Sequence, residues 1–508
     1  MELLDLFLAL TPILLILVLM LKLRWQGVHA GLVTWAVTVM IAGLRFGAGP
    51  SVLWAAQIRG LFLAGYVLYI IWGALFFYRT TAATGTIAAL GEVVRRLSPN
   101  RALQMLLLAW CLASFLQGVG GFGVPVAVVA PLLAGMGFPP VASVVIPSLG
   151  HAWAVSFGSL GSSFFALLAA TGLDGAVIAP WAALYLGLVC LVVGATTLWV
   201  AGGQVALRQA WIPWLLIGFS MAGVQWGAAR IGLWNIAAML GSLAGLLVGS
   251  GWALFTTPQN WRSAELRGLL RTALLPYGIL LLLILAVKFL PALRTTLDSV
   301  TLQVELPAVS TARGWTVPAG ATRSISLWGH TGALLSYVSL LVGWWGVREG
   351  RLQTDDLRKI WRQVSRSGLS STLGILSLVA LATTMEYSGM ITLLATRIAQ
   401  LAGQFFPLLS PFVGALGAFI TGSNTNSNVL FGALQRDIAQ TLGYATPVLL
   451  AAQNAGGALG SVFAPAKVIV GCSTVGLSGE EGQVMRRLLR YELPVLGALG
   501  LLTWVLTR

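Results

Sequence analysis

At 508 residues, 57% hydrophobic and only 9% charged, with a mean hydropathy of +0.88, the chain departs from soluble globular composition in every respect. The formal net charge of +15 would suit a nucleic-acid binder, but the cations sit in separate loops between apolar runs and form no single patch. The composition is that of a polytopic membrane protein that lives in a lipid bilayer and has no nucleic-acid partner.

Mostly apolar runs of roughly 18 to 22 residues, each able to cross a ~30 Å hydrocarbon core, recur along the chain. They lie at 3 to 23, 28 to 46, 60 to 78, 101 to 116, 180 to 201, 211 to 228, 232 to 255, 271 to 291, 325 to 347, 369 to 386 and 491 to 507. With the broken segments described below, about 12 crossings are expected. The first run follows "MELLD", with no basic region before it and no small-residue cleavage site after it, so it reads as a retained helix and not a signal peptide. The basic loops "RRLSPNR" (95 to 101), "WRSAELRGLLR" (261 to 271), "REGRLQTDDLRKIWRQVSR" (348 to 366) and "MRRLLR" (485 to 490) are cytoplasmic by the positive-inside rule; "TGLDG" (171 to 175) and the long Pro-containing stretch 292 to 323 are external. Cys111, Cys190 and Cys472 lie in or beside apolar segments without CxxC spacing and read as small core fillers, with no metal site and no cofactor.

Two stretches repeat at one offset. "TIAALGEVVRRL" from Thr86 matches "TLLATRIAQLA" from Thr392, and "GFPPVASVVIPSLG" from Gly137 matches "GYATPVLLAAQNAG" from Gly443, each 306 positions later. By the charged loops the first copy starts inside and the second outside, so the copies run in opposite directions. Inverted repeats that carry interrupted helices are the signature of secondary transporters, with substrate held between the breaks.

Each copy holds a re-entrant hairpin. In the first, Gly118, Gly120, Gly121 and Gly123 precede Pro125, and in the second the same place reads "GSNTNSNVLFGALQ". Glycine permits left-handed backbone and proline starts a helix well. Irregular polar backbone at membrane depth must line a cavity or be covered by protein. Ser423, Asn424, Thr425, Asn426, Ser427 and Asn428 therefore read as donors to a carboxylate, with a helix starting near Val429 aiming its positive end the same way; an ordinary surface turn is the other reading. A second broken helix follows each hairpin, at 147 to 163 and 453 to 471, and contains His151, Asn454 and Lys467. Lys467 either attracts an anion or snorkels to the interface. His151 either binds substrate or shuttles a proton, or it packs through a hydrogen bond. Glu386 either couples ions or ends its helix at the interface.

These residues resemble the L-lactate permease family, most closely from "SPNRALQMLLLAWCLASFLQGVGGFGVPVAV" through "VSFGSLG" and from "GAFITGSNTNSNVLFGALQ" through "STVGLSGEE". The resemblance extends to the wider ion transporter superfamily. It implies an all-α polytopic fold of about 12 transmembrane helices in two inverted-topology repeats, moving as an elevator. The moving part would be 98–202 with 366–490, the scaffold 1–97 with 211–347, and 491–508 a C-terminal helix. It further implies that Ser423, Asn424 and Thr425 hold substrate and cation beside backbone at Gly120, Gly121 and Gly123. The setting would be a prokaryotic cytoplasmic membrane, and a homodimer is one assembly it allows. The sequence departs from the family where Gln117 replaces a Glu, Asn424 an Asp and Ser461 a Lys, and His151 and Glu386 stand where Asn is usual.

The expected function is secondary active transport of a small monocarboxylate (L-lactate, D-lactate or glycolate) by proton symport, with Glu386, His151 and Gln117 as ion-coupling candidates. The alternative is an elevator carrier for another organic anion or one coupled to sodium, because two acids are missing. The three histidines and the absence of HExxH, GxSxG and DxD sets argue against an enzyme, and no repeated ring suggests a channel.

Overall fold

The computed structural model describes residues 3–23, 25–96, 100–121, 123–256, 264–477 and 480–507. Within them, 11 helices are long and apolar enough to cross a membrane, or up to 12 when the bent pair Pro140–Ala154 and Gly158–Thr171, which meet at 52°, is counted as one span. This agrees with the number expected from the apolar runs. The runs at 180 to 201 and 211 to 228 join into one helical stretch, Gly175–Arg230, broken at Gly202, Gly203 and Ala210.

The correspondence between halves reaches further upstream than sequence matching revealed. Helices Gly27–Leu44 and Thr331–Arg348 each have 18 residues, and Pro50–Ala83 and Thr354–Tyr387 each have 34. Each long helix ends at a left-handed glycine, Gly85 (φ 77°) or Gly389 (φ 80°), followed by a short amphipathic helix, Thr86–Arg96 or Met390–Ala402. On the first of these, Arg95 and Arg96 clamp Glu92 and hold its carboxyl down at about 2. Because that value is depressed, the stabilising pair is complete above the usual carboxylate range and is lost only as pH falls toward 2.

The two 34-residue helices pack antiparallel. Gln57 Nε2 donates to Thr384 Oγ1 at 2.9 Å, and 15 residues further along the first helix Trp72 Nε1 donates to Thr372 Oγ1 at 3.0 Å, earlier in the second. Small residues allow this approach: Gly60 faces Thr383, and Gly368 lies on the Trp72 ring. Without a strong hydrophobic drive in lipid, such close packing and polar contacts carry helix association.

The stretch 292 to 323 is more ordered than an external loop. A short helix, Pro291–Leu297, leads into an antiparallel ribbon in which Thr301–Leu302 pairs with Ile325–Ser326, Glu305–Leu306 with Gly320–Ala321 and Val309–Ser310 with Thr316–Val317. Pro307 and Pro318 cannot donate to a ladder, which keeps each rung short. At the tip, Ala312 N–H donates to Gly47 C=O at 2.8 Å and Arg313 reaches Asp5 at 3.1 Å, so the ribbon is pinned to the N-terminal helices.

Both hairpins are present. The first has arms Ala113–Val119 and Val124–Gly135 around left-handed Gly121 (φ 60°) and Gly123 (φ 84°), with Phe122 outside the described residues. The second has arms Phe406–Thr421 and Asn424–Leu442 around left-handed Gly422 (φ 74°). The helix after this tip begins at Asn424 rather than near Val429. Gly422 turns the chain and Ser423 is extended (φ −150°), so the polar run forms the first turn of the helix, where Asn, Ser and Thr are favoured over mid-helix positions.

Behind the hairpins lie the broken helices. Pro140–Gly150 stops at His151, and Gly158–Thr171 follows a short 3-10 turn; Thr446–Val462 stops at Phe463, and Pro465–Thr474 resumes. Gly150 and Gly456, 306 positions apart, make the same contact. A Cβ on Gly150 would lie 1.9 Å from Ala109 O, and one on Gly456 would lie 1.9 Å from Pro411 O.

Candidate substrate site

The second hairpin tip, Gln117 in the first arm of the other hairpin and the two helix breaks converge on a cavity of about 290 Å³ lined by Gln117, Val155, Ser159, Ser162, Ser163, Gly422, Ser423, Asn424, Thr425, Ala466, Lys467 and Val470; Gly120, Gly121 and Gly123 are not among the lining residues. The first hairpin meets the first break directly. Gly121 is held so close to Ser159 that a Cβ would fall 1.8 Å from its Oγ, and Gly158 abuts the backbone carbonyl of Gln117. Ser159, Leu160 and Gly161 are all left-handed, with φ of 47°, 49° and 79°. For two non-glycine residues that conformation costs about 1–2 kcal/mol each, and surrounding packing must hold it. The consequence is that Ser159, Ser162 and Ser163 all border the same space.

The second hairpin is fixed by amide pairing. Asn454 Oδ1 accepts from Asn428 Nδ2 at 2.9 Å and from Asn424 Nδ2 at 3.3 Å. Asn424 Nδ2 also reaches Ser156 Oγ at 3.1 Å, Asn428 Nδ2 donates to Ser163 C=O at 2.9 Å, and the Ser163 and Thr425 hydroxyls lie 3.0 Å apart. These bonds tie the helix breaks of both halves to one helix start. Gln453 continues the network, donating to Ser427 Oγ at 3.1 Å and accepting from Gln435 Nε2 at 3.0 Å. Several polar atoms have no protein partner despite burial: Gln117 Oε1, Asn424 Oδ1, Asn426 Oδ1, Asn428 Oδ1 and Asn454 Nδ2. Buried polar groups are rarely left so; Gln117 and Asn424 line the cavity and Asn428 and Asn454 stand directly behind Asn424, so water or a ligand at this place completes the bonding.

The charge balance is one-sided. Lys467, half-buried, donates to Ser461 Oγ at 3.0 Å and has no carboxylate within ion-pair distance among the described residues. No acid among the described residues lines the cavity. The helix Asn424–Leu442 starts here without a side-chain cap from Ser423, so its first amides and the positive end of its dipole face the same region. A cation, a helix start and free amide groups around a space without an acid can hold a small anion. Lys467→Met is expected to weaken anion affinity tenfold or more, about 1.4 kcal/mol, measured as KM for uptake or by direct titration; Lys467→Arg should recover part of it.

The residues singled out in the sequence divide into groups. Gln117, Ser423, Asn424, Thr425 and Lys467 line the cavity. Asn428 and Asn454 stand behind Asn424 as its partners, Ser427 turns away to donate to Gly414 C=O at 2.7 Å, and Asn426 is half-buried. Gly121 packs on Ser159, Gly123 approaches Val470 and Gly120 approaches Tyr78. His151 is not brought to the cavity wall: it is 1% exposed, with Nδ1 2.6 Å from Pro147 O. Glu386 lies in a different cavity with Arg59 and Asp437, 3.4 Å from Arg436. Ser156, Ser159, Ser162, Ser163 and Gln453 were not anticipated; the run "SFGSLGSS" signals a break, and its hydroxyls are equally a signal. Glu492, fully buried in the last helix with both carboxyl oxygens unpartnered, was missed because it follows a basic stretch.

The cavity shares Gly422 and Ala466 with a wider space of about 770 Å³ that runs to Gln26, Glu481 and Met485. That is the side of "MRRLLR", cytoplasmic by its charge.

Paired hairpins and helix breaks around a buried polar cavity, in a chain of membrane-spanning helices, define an integral membrane transport protein of the cytoplasmic membrane. The sequence model of the L-lactate permease family matches residues 5–508, and the chain belongs to that family: it is a permease and not an enzyme. Among curated relatives, an L-lactate permease of Escherichia coli is 26% identical over 97% of this chain and 94% of its own length. A glycolate permease of the same organism is 27% identical over 97% and 94%. An L-lactate permease of Halalkalibacterium halodurans is 27% identical over 99% and 96%. Among solved structures, the Alcanivorax borkumensis YdaH transporter overlaps loosely, with a TM-score of 0.48 at 13% identity over 88% of this chain and 86% of that one.

Proposed function

We propose that the protein is a secondary active transporter of a small 2-hydroxymonocarboxylate, lactate or glycolate, driven by proton symport. The observation that carries this reading is the acid-free cavity in which Lys467 faces the start of the helix Asn424–Leu442. The carboxylate pairs with Lys467 and the helix-start amides, and the 2-hydroxyl is held by Ser423, Asn424 and Thr425, with Gln117 and the Ser159 to Ser163 hydroxyls closing the other side. The names of the curated relatives, L-lactate and glycolate permeases, agree with this ligand class.

Lys467 also answers one departure from the family pattern. Its ammonium sits 3.0 Å from Ser461 Oγ, the position at which the resemblance implies a lysine, so the cation is supplied from six residues further on. Transport follows an elevator motion in which 98–202 and the part of 366–490 beyond Tyr387 move together against 1–97 and 211–347; the boundary expected at 366 falls inside the continuous helix Thr354–Tyr387, whose bonds to Pro50–Ala83 keep both 34-residue helices with the scaffold.

Gln117 and Asn424 leave the cavity without a titratable acid, which favours a second reading in which coupling uses sodium or is absent. Uptake of labelled L-lactate into proteoliposomes under an inward proton gradient, an inward sodium gradient or neither separates the two. Accumulation driven only by protons supports symport; accumulation driven only by sodium, or equilibration alone, overturns it.

A further inference from the structure

A second cavity, of about 560 Å³, lies on the opposite side of the membrane from the cytoplasmic opening, between Ala176 beside the "TGLDG" loop and the segment that carries Arg294, Asp298 and Gly329. Three cations line it, Arg230, Lys288 and Arg294, against one acid, Asp298. Arg294 is 3.6 Å from Asp298. Arg230 stacks over Trp226 at 4.7 Å, and neither it nor Lys288 has a carboxylate within ion-pair distance among the described residues. The space therefore carries an excess of positive charge in a recess with apolar walls, the arrangement that focuses a field and concentrates counter-ions.

Its floor is the back of the substrate site. Phe165 and Asn235 line the cavity, and both close on Gly161: a Cβ there would stand 3.1 Å from the Phe165 ring and 3.2 Å from Asn235 Cα. Gly161 is followed by Ser162 and Ser163, which border the substrate cavity. One layer of side chain and backbone thus separates the cationic recess from the site that opens to the cytoplasm.

We infer that this recess is an external carboxylate-binding vestibule, in which Arg230 and Lys288 collect the anion before the layer formed by Gly161, Phe165 and Asn235 opens to admit it. The inference rests on the transport reading above for the identity of the anion, but its electrostatic part does not. An outer-leaflet lipid phosphate is the competing occupant.

The test uses a Thr331→Cys reporter in right-side-out vesicles, since the native Cys111, Cys190 and Cys472 are buried. Its reaction rates with a sulfonate-bearing and a trimethylammonium-bearing methanethiosulfonate are compared, each normalised to a free thiol. The expected result is a preference of tenfold or more for the anionic reagent, which collapses in the Arg230→Gln, Lys288→Gln background, and slowing by L-lactate. In that background the external KM for L-lactate rises fivefold or more with the maximal influx rate unchanged, and the ratio of maximal rate to KM for efflux falls by the same factor, as detailed balance requires. Absence of a charge preference, or a preference with unmoved external KM, overturns the vestibule, as does protection by anionic lipid but not by L-lactate. Because the reagent ratio needs no substrate, its absence with Arg230 and Lys288 intact overturns the vestibule whether or not lactate is carried; a chain that shows the ratio but moves no lactate overturns the lactate reading instead.

Discussion

Asn454→Leu is expected to abolish transport. Asn454 Oδ1 is the common acceptor for Asn424 and Asn428, and the side chain is wholly buried. Leucine is of similar size but offers no acceptor, so Asn424 Nδ2 keeps only Ser156 and Asn428 Nδ2 only the Ser163 carbonyl. Each weakened buried amide costs about 1–3 kcal/mol, and the hairpin start loses the bond that joins it to the second broken helix. Uptake should fall by a hundredfold or more, through the maximal rate and affinity together, while the protein still inserts and can be purified. Asn454→Asp is the informative companion. It keeps the acceptor and replaces the unpartnered Nδ2 with a carboxylate behind Asn424, next to the cavity, so it should retain the hairpin contact and repel the anion. Near-normal uptake by Asn454→Leu would show that the amide network does not position the site.

Gly456→Val is expected to be the most damaging single change to the fold. A first methyl already lies 1.9 Å from Pro411 O and 2.6 Å from its carbonyl carbon; these are backbone atoms, so no rotamer change can relieve the clash. Helices Phe406–Thr421 and Thr446–Val462 must separate, which costs at least the ~1–3 kcal/mol typical of overpacking and moves Asn454 away from Asn424. Gly150→Val repeats the experiment in the other half against Ala109 O. Both should lower the yield of monodisperse protein severalfold and depress Tm. Gly278→Ala, which meets nothing within 4 Å, should be neutral or slightly stabilising because alanine is the better helix former. Similar behaviour of all three would mean that the equivalent close approaches do not hold each half together.

The equivalence of Gly150 and Gly456 shows which parts of the structure were legible in the sequence. Their 306-residue offset appeared because short stretches of glycine, proline and small residues are constrained by backbone geometry and so keep a recognisable pattern. The matching 18-residue and 34-residue helices were not detected, because lipid-facing positions accept any large apolar side chain and retain length but no motif. The hairpin tips were legible for the same reason as the glycines: "GVGGFGVP" and "GSNTNSN" are out of place in an apolar chain. The helix start was placed five residues late because polar side chains there look like a turn, while Asn424 to Asn428 form helix from the first of them.

Side-chain partners were less legible. Nothing in the sequence places Ser163 beside Thr425 or Asn428, since they come from different halves and meet only when the first helix break packs on the second hairpin. Glu386 stood out as an acid in an apolar segment, yet the guanidinium that faces it, Arg436, lies 50 positions away. His151 drew attention by its rarity, and its short contact to Pro147 O within its own turn is a relation that residue type alone does not reveal.

The central claim, that the cavity between Lys467 and the helix start at Asn424 binds and moves a small 2-hydroxymonocarboxylate, is tested most directly by counterflow. Purified protein is reconstituted into liposomes loaded with unlabelled L-lactate, and labelled L-lactate is added outside at trace concentration with no ion gradient. The account predicts transient, saturable accumulation of label that glycolate in the lumen also supports, its loss in Asn454→Leu, and a half-saturating concentration raised tenfold or more in Lys467→Met. Accumulation that persists unchanged in both variants, or no exchange by the wild-type protein with either hydroxy acid, would contradict it.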